Sequence, residues 1–157
     1  MIVKPMIKKV QLSQNALDVL IHRYSLRDEQ DRPVETPEQI FARVARVVAE
    51  AENQYVDGMR ADEVAEKFYE MLVDLRFMPN GRTIANAGTA FGQLANCYVL
   101  PIEDEMGKTE AGIFSTLRNA ALILQSGGGV GFSFGRIRPK GDKIATSKGK
   151  TTGAVSF

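Results

Sequence analysis

Four short stretches of this sequence have residue types and spacings that could do chemistry. QLANCYVLP, residues 93–101, carries the single cysteine, Cys97, in an apolar run that predicts a strand. A lone thiol there reads two ways: as a small buried hydrophobe, the common fate of free cysteine, or as a reactive group. SGGGVGFSFG places Gly127, Gly128, Gly129 and Gly131 between a predicted helix and a second predicted strand, VGFSFGRI. Such glycines let a backbone approach a ligand, or they make a tight turn with no ligand at all. Their order is the reverse of the usual phosphate loops, which follow a strand and open a helix. In GRIRPKGD, Arg136 and Arg138 stand two apart on the end of that strand, so their side chains share a face, with Lys140 and Lys143 close by. The pair is either a phosphate clamp or an exposed basic edge that blunts aggregation. MPNGRTIANAGT reads as turn-rich and leaves Thr83 and Asn86 ahead of the first strand, suited to orienting a substrate or to satisfying their own loop.

The elements that must position these groups are legible in outline. Leu12, Ala16, Val19, Leu20 and Tyr24 recur at helical spacing, with His22 beside the stripe as an exposed helix residue. ETPEQIFARVARVVAEAE opens with Thr36, Pro37 and Gln39 in the capping-box pattern, and Ile40, Val44, Val47, Val48 and Ala51 form its apolar face. A third helix turns Val64, Phe68, Met71, Leu72 and Leu75 inward until Pro79 stops it. Beyond residue 80 the texture changes to strand, helix, strand. The helix, EAGIFSTLRNAALILQS, has Ile113, Leu117, Ala120, Ala121 and Leu124 on one face. This is the parallel crossover unit of an α/β sheet. Thr151 or Thr152 stands ready to cap a further element, and a sheet of two parallel strands cannot cover its own faces, so further strands are expected from elsewhere.

Composition narrows the classes of function. With 157 residues, 44% of them hydrophobic, one ordinary core is expected. A formal net charge of +1 gives no field that would draw nucleic acid or a membrane surface. No run approaches the ~18 apolar residues of a membrane span, and the start lacks a secretory signal, so the chain reads as cytoplasmic. One cysteine and one histidine exclude an intrachain disulfide and a multi-cysteine metal site, so no metal site is expected.

Taken together, PNGRTIANAGT, LANCYVLP, GIFSTLRNAALILQSGGGVGFSFGRIRPKGD and SKGKTTGAVSF resemble, in order and spacing, the beginning of the catalytic chain of ribonucleotide reductases. The adenosylcobalamin-dependent class, class II, is the nearest. The resemblance implies a helical N-terminal region, residues 1–78, and, over 79–157, the first strands and helix of a ten-stranded α/β barrel: an α/β class that is α+β as a fragment. It implies that Cys97 is one of two thiols that reduce a ribonucleoside diphosphate during thiyl-radical chemistry, distinct from the radical cysteine. Thr83, Asn96 and Gly129 then match substrate-binding positions. Asp104, seven residues after the cysteine, and Arg138 match positions that bind the ribose and phosphates of an allosteric deoxynucleoside triphosphate or ATP effector. Asn96 and Glu105 stand where relatives often have serine. The short N-terminus leaves no room for an ATP-cone regulatory domain.

The implied partners are the rest of the barrel, a thioredoxin-type reductant and a second copy of the chain. Adenosylcobalamin is expected on the full enzyme and not on these residues. With one cysteine the chain cannot complete the reaction alone, and a non-catalytic nucleotide-binding or dimerisation module is the competing reading. A helical interaction domain that inherited its glycine motif is the third.

Overall fold

A computed structural model describes residues 8–55, 60–144 and 147–156, which fall into two compact units meeting at the Ala95–Asn96 bond. The start of the chain through residue 7, where a secretory signal was sought, and Phe157, last residue of SKGKTTGAVSF, lie outside the described residues.

The first unit is helical. Helix α1 spans Gln14–Tyr24 and α2 spans Pro37–Ala49, followed by a 3-10 turn over Glu50–Gln54; α3 spans Ala61–Val73 and α4 spans Gly81–Asn86. The predicted capping box is present: Thr36 Oγ1 accepts the Gln39 N–H at 3.3 Å, and Gln39 Oε1 accepts the Thr36 N–H at 2.7 Å. Apolar spacing at threes and fours lets α2 bury Ile40, Phe41, Val44 and Ala45 against Tyr69, Leu72 and Val73 of α3, with Leu20 of α1 and Ile84 of α4 completing the core.

Three expectations here are corrected. Val19, Val48 and Leu75 are exposed rather than inward, and α3 ends at Val73 instead of running to Pro79. Leu75 takes a left-handed backbone, φ 55°, and the Arg76 N–H returns to the Met71 carbonyl at 3.0 Å, so the helix closes before Leu75 can face the core. The segment read as a turn after Asn80 is instead a short helix, because the Asn80 side chain accepts the Thr83 N–H at 3.1 Å and caps it.

Arg43 ties this unit together. Its five N–H donors are all used: Nε and Nη2 reach Glu35 at 2.8 and 2.9 Å, Nη1 reaches the carbonyls of Ile84 and Ala87 at 3.1 and 2.6 Å, and Nη2 also reaches that of Tyr24 at 3.0 Å. One guanidinium thus joins the ends of α1 and α4 to α2.

The second unit is the expected strand–helix–strand. Strand β1, Cys97–Pro101, pairs in parallel with β2, Gly129–Ser133, in the register Cys97 to Gly129 and Val99 to Gly131, and α5, Ile113–Gln125, connects them. A helical N-terminal unit followed by this small parallel sheet is the α+β arrangement expected. Helix α5 ends in a Schellman motif: the Gly128 N–H reaches the Ile123 carbonyl and the Gly127 N–H that of Leu124, each at 2.9 Å, with Gly127 at φ 77°. Strand β2 is shorter than predicted, so Arg136 and Arg138 lie in the turn beyond it and do not share a strand face.

The face expected for α5 is only partly inward. Thr116 and Ala120 are buried, while Leu117 and Leu124 are 61% and 56% exposed. Near the end, the Gly153 N–H donates to Thr151 Oγ1 at 3.2 Å, and a single 3-10 turn over Ala154–Ser156 follows. Among the described residues no helix is long and apolar enough to cross a membrane.

Candidate functional site

Cys97 opens β1 and is exposed, so nothing in its own unit buries the thiol. Side chains alternate along a strand, so Cys97 shares its face with Val99, which is 81% exposed. Across the ladder the residues opposite these two are both glycine. A Cβ placed on Gly129 would sit 3.3 Å from Cys97 Sγ, and one on Gly131 would sit 4.0 Å from Val99 Cγ2. The glycine cluster therefore does two jobs. Gly127 and Gly128 turn the chain out of α5, and Gly129 and Gly131 leave bare backbone beside the thiol, where a flat ligand could lie against the sheet.

Asn96 lies just before the strand. Its carbonyl accepts the Gly129 N–H at 2.7 Å, extending the ladder by one bond at the thiol's end. Its side-chain Oδ1 is buried with no hydrogen-bond partner among the described residues. Such an atom costs about 1–3 kcal/mol until a donor reaches it. Thr83 lies in the helical unit, where its hydroxyl stands 2.9 Å from the Leu94 carbonyl and 3.2 Å from Asn80 Oδ1; Asn86 Nδ2 donates to the Gln93 carbonyl at 2.7 Å. Both side chains thus pin the loop that leads to residue 95.

After β1 come three consecutive acids, and the structure gives each a partner. Glu103 pairs with Arg136 and Asp104 with Arg138, so the predicted Asp104 and Arg138 are brought into contact. Both pairs are partly open to solvent, which limits each to a modest contribution. Glu105 turns the other way, into its own loop. Spacing alone does not show these pairs, because their members are 33 and 34 residues apart and the sequence pattern carries β2 past its actual end at Ser133. Gly131 was noted only as part of a cluster, and its place opposite Val99 needs the parallel register.

Both units have counterparts among known proteins. Residues 10–92 match the family described as ribonucleotide reductase, all-alpha domain, and residues 95–157 match ribonucleotide reductase, barrel domain. The chain belongs to the ribonucleotide reductase family. It is 45% identical over 149 residues to a vitamin B12-dependent ribonucleoside-diphosphate reductase of Mycobacterium tuberculosis (strain CDC 1551 / Oshkosh), covering 95% of this chain and 21% of that protein. Against the enzyme of the same description from Thermoplasma acidophilum the identity is 34%, over 94% of this chain and 26% of the relative. A ribonucleoside-diphosphate reductase subunit alpha of Helicobacter pylori (strain 26695) is 31% identical, covering 94% of this chain and 17% of its own length. The chain thus spans between a sixth and about a quarter of the reductases it matches. The barrel-domain match begins at Ala95, one residue before the second compact unit, and Cys97 is its third residue.

Proposed function

We propose that this chain supplies the first strands of a class II ribonucleotide reductase barrel, and that Cys97 is one of the two thiols that reduce the substrate. The observation that carries the reading is the exposed thiol on β1 with Gly129 directly opposite, in a chain of this family. The substrate is a ribonucleoside diphosphate. A thiyl radical on a cysteine outside this chain removes the 3′-hydrogen and returns it at the end. In between, the 2′-carbon–oxygen bond breaks and the oxygen leaves as water. Cys97 and a second thiol, also outside this chain, give up two protons and two electrons and join as a disulfide, while a new carbon–hydrogen bond forms at the 2′-carbon. A thioredoxin-type reductant then reopens the disulfide.

Each residue has a role set by its position. Cys97 is held on a strand, so its sulfur does not wander from the reacting carbon. The backbone of Gly129 closes on the sugar, which a side chain there would displace. Asn96 offers its unpartnered side-chain oxygen to a donor on the substrate, and Thr83, whose hydroxyl lies against the Leu94 carbonyl, matches a substrate-seating position of the family. Asp104 and Arg138 form the effector subsite for a deoxynucleoside triphosphate or ATP. A homodimer belongs to the same reading: Phe114, Leu117, Ala121 and Leu124 recur along exposed α5 at the alternating three- and four-residue spacing of a helix–helix seam.

Adenosylcobalamin is the radical-supplying cofactor of this class and is read here as a property of the whole enzyme rather than of these residues. The test is reconstitution: co-expression with the remainder of the barrel yields nucleotide reduction, and Cys97→Ser abolishes turnover while substrate binding persists. Saturable binding of a deoxynucleoside triphosphate without any reduction on reconstitution favours the non-catalytic module instead.

A further inference from the structure

The carboxylate of Glu105 is fully engaged. Oε2 accepts the backbone N–H of Gly107 at 2.7 Å and of Lys108 at 2.6 Å. Oε1 accepts the N–H of Thr109 at 3.0 Å and its hydroxyl at 2.8 Å. The main chain of the same loop performs a second task. Helix α5 follows Gly112 and has no side-chain cap, so its first N–H groups need other acceptors. Those of Ile113 and Phe114 donate to the carbonyls of Glu105 and Met106, each at 2.8 Å. The carboxylate closes the loop, and the closed loop caps the helix. Asp104, one residue before, is thereby held facing Arg138.

We infer that Glu105 is a positioning residue: by gathering the amides of residues 107–109 it fixes the loop between β1 and α5 in the shape that caps α5 and presents Asp104 to an effector nucleotide. The nucleotide half rests on the effector reading above, and the capping half stands without it. Serine offers one oxygen on a short stem and cannot span three amides. Glutamine keeps the size but replaces one acceptor by a donor, which would face N–H groups.

The N–H of Lys108, followed by the groups of Thr109 and the N–H of Gly107, holds the Glu105 carboxyl down to about 2, from an ordinary 4.5. A lowered carboxylate contributes stability that is whole above pH 4.5 and is lost as pH falls through about 2. The other charged groups around the loop are Glu103, Asp104, Lys108 and Glu110 on it, Arg118 on α5, and Arg136 and Arg138 beyond β2. The readout must therefore be specific to residues 107–109.

The experiment uses the full chain. Amide resonances and hydrogen exchange of Gly107, Lys108 and Thr109 are followed by NMR from pH 7 to 2, and deoxythymidine triphosphate is titrated at pH 7, for wild type and Glu105→Gln. In wild type the three amides exchange slowly and their shifts titrate together near pH 2. In Glu105→Gln that titration disappears, exchange rises at least about tenfold and nucleotide affinity falls about tenfold, while the melting of the helical unit is unchanged. Unchanged exchange in the variant overturns the inference. Faster exchange with unaltered affinity overturns its positioning half and leaves the effector reading standing. Absence of saturable binding to wild type sinks the effector reading, and with it the nucleotide half, while the exchange still decides whether Glu105 caps α5.

Discussion

In residues 8–95, α2 and α3 turn Ile40, Phe41, Val44, Tyr69 and Leu72 into a core sealed from water, whereas in residues 96–156 the equally apolar α5 buries only Thr116 and Ala120. The same helical periodicity produced both. The difference lies in what each helix has to pack against. Among its described residues the first unit has four α-helices that pack on one another, and a guanidinium whose donors are all met. Among its described residues the second has two strands and one α-helix, and Val99 on β1 with Phe114, Leu117 and Leu124 on α5 are more than half exposed, whereas the comparably exposed Val34, Tyr55, Phe77 and Phe91 of the first unit all lie outside its helices. Exposed apolar surface on this scale marks an interface rather than a finished fold. Cys97 lies in this more open unit.

Mutations should separate the two units. The largest stability effect is expected from Phe41→Ala, which empties a fully buried ring position and should cost about 3–5 kcal/mol in urea unfolding of the helical unit. Arg43→Ala should approach it at about 3–5 kcal/mol, since it strands Glu35 in a site where both side chains are only 11% exposed. Asn80→Ala removes the cap of α4 and should cost about 1 kcal/mol. Leu117→Ser in the free chain should change stability by less than about 0.5 kcal/mol, because its side chain touches mostly water. A loss of several kcal/mol there would mean that α5 is already covered, and the contrast between the units would fall.

What could be read in the sequence follows the same division. The capping box at Thr36 and Gln39, the crossover of strand, helix and strand, and the glycine end of α5 depend on neighbours within a few residues, and all appear. The Arg43 hub does not show in the sequence, because its carbonyl partners on α4 lie 41 and 44 residues away. Asn80-Gly81 reads equally well as a bend or as a cap and first helical residue, and only the acceptance of the Thr83 N–H separates them. For α5, periodicity gave a single apolar face, whereas the residues toward the sheet are the small Thr116 and Ala120 and the large ones point outward. At the site, Cys97 alone favoured packing. Motif order points it toward chemistry, and the structure adds that it is exposed opposite Gly129.

The most direct measurement is single-turnover reduction of a ribonucleoside diphosphate by this chain reconstituted with the remainder of its barrel, comparing wild type with Cys97→Ser. The account predicts deoxynucleotide formation, with one disulfide made per turnover, for wild type, and no deoxynucleotide for Cys97→Ser at undiminished substrate binding. Full product formation by Cys97→Ser would contradict it.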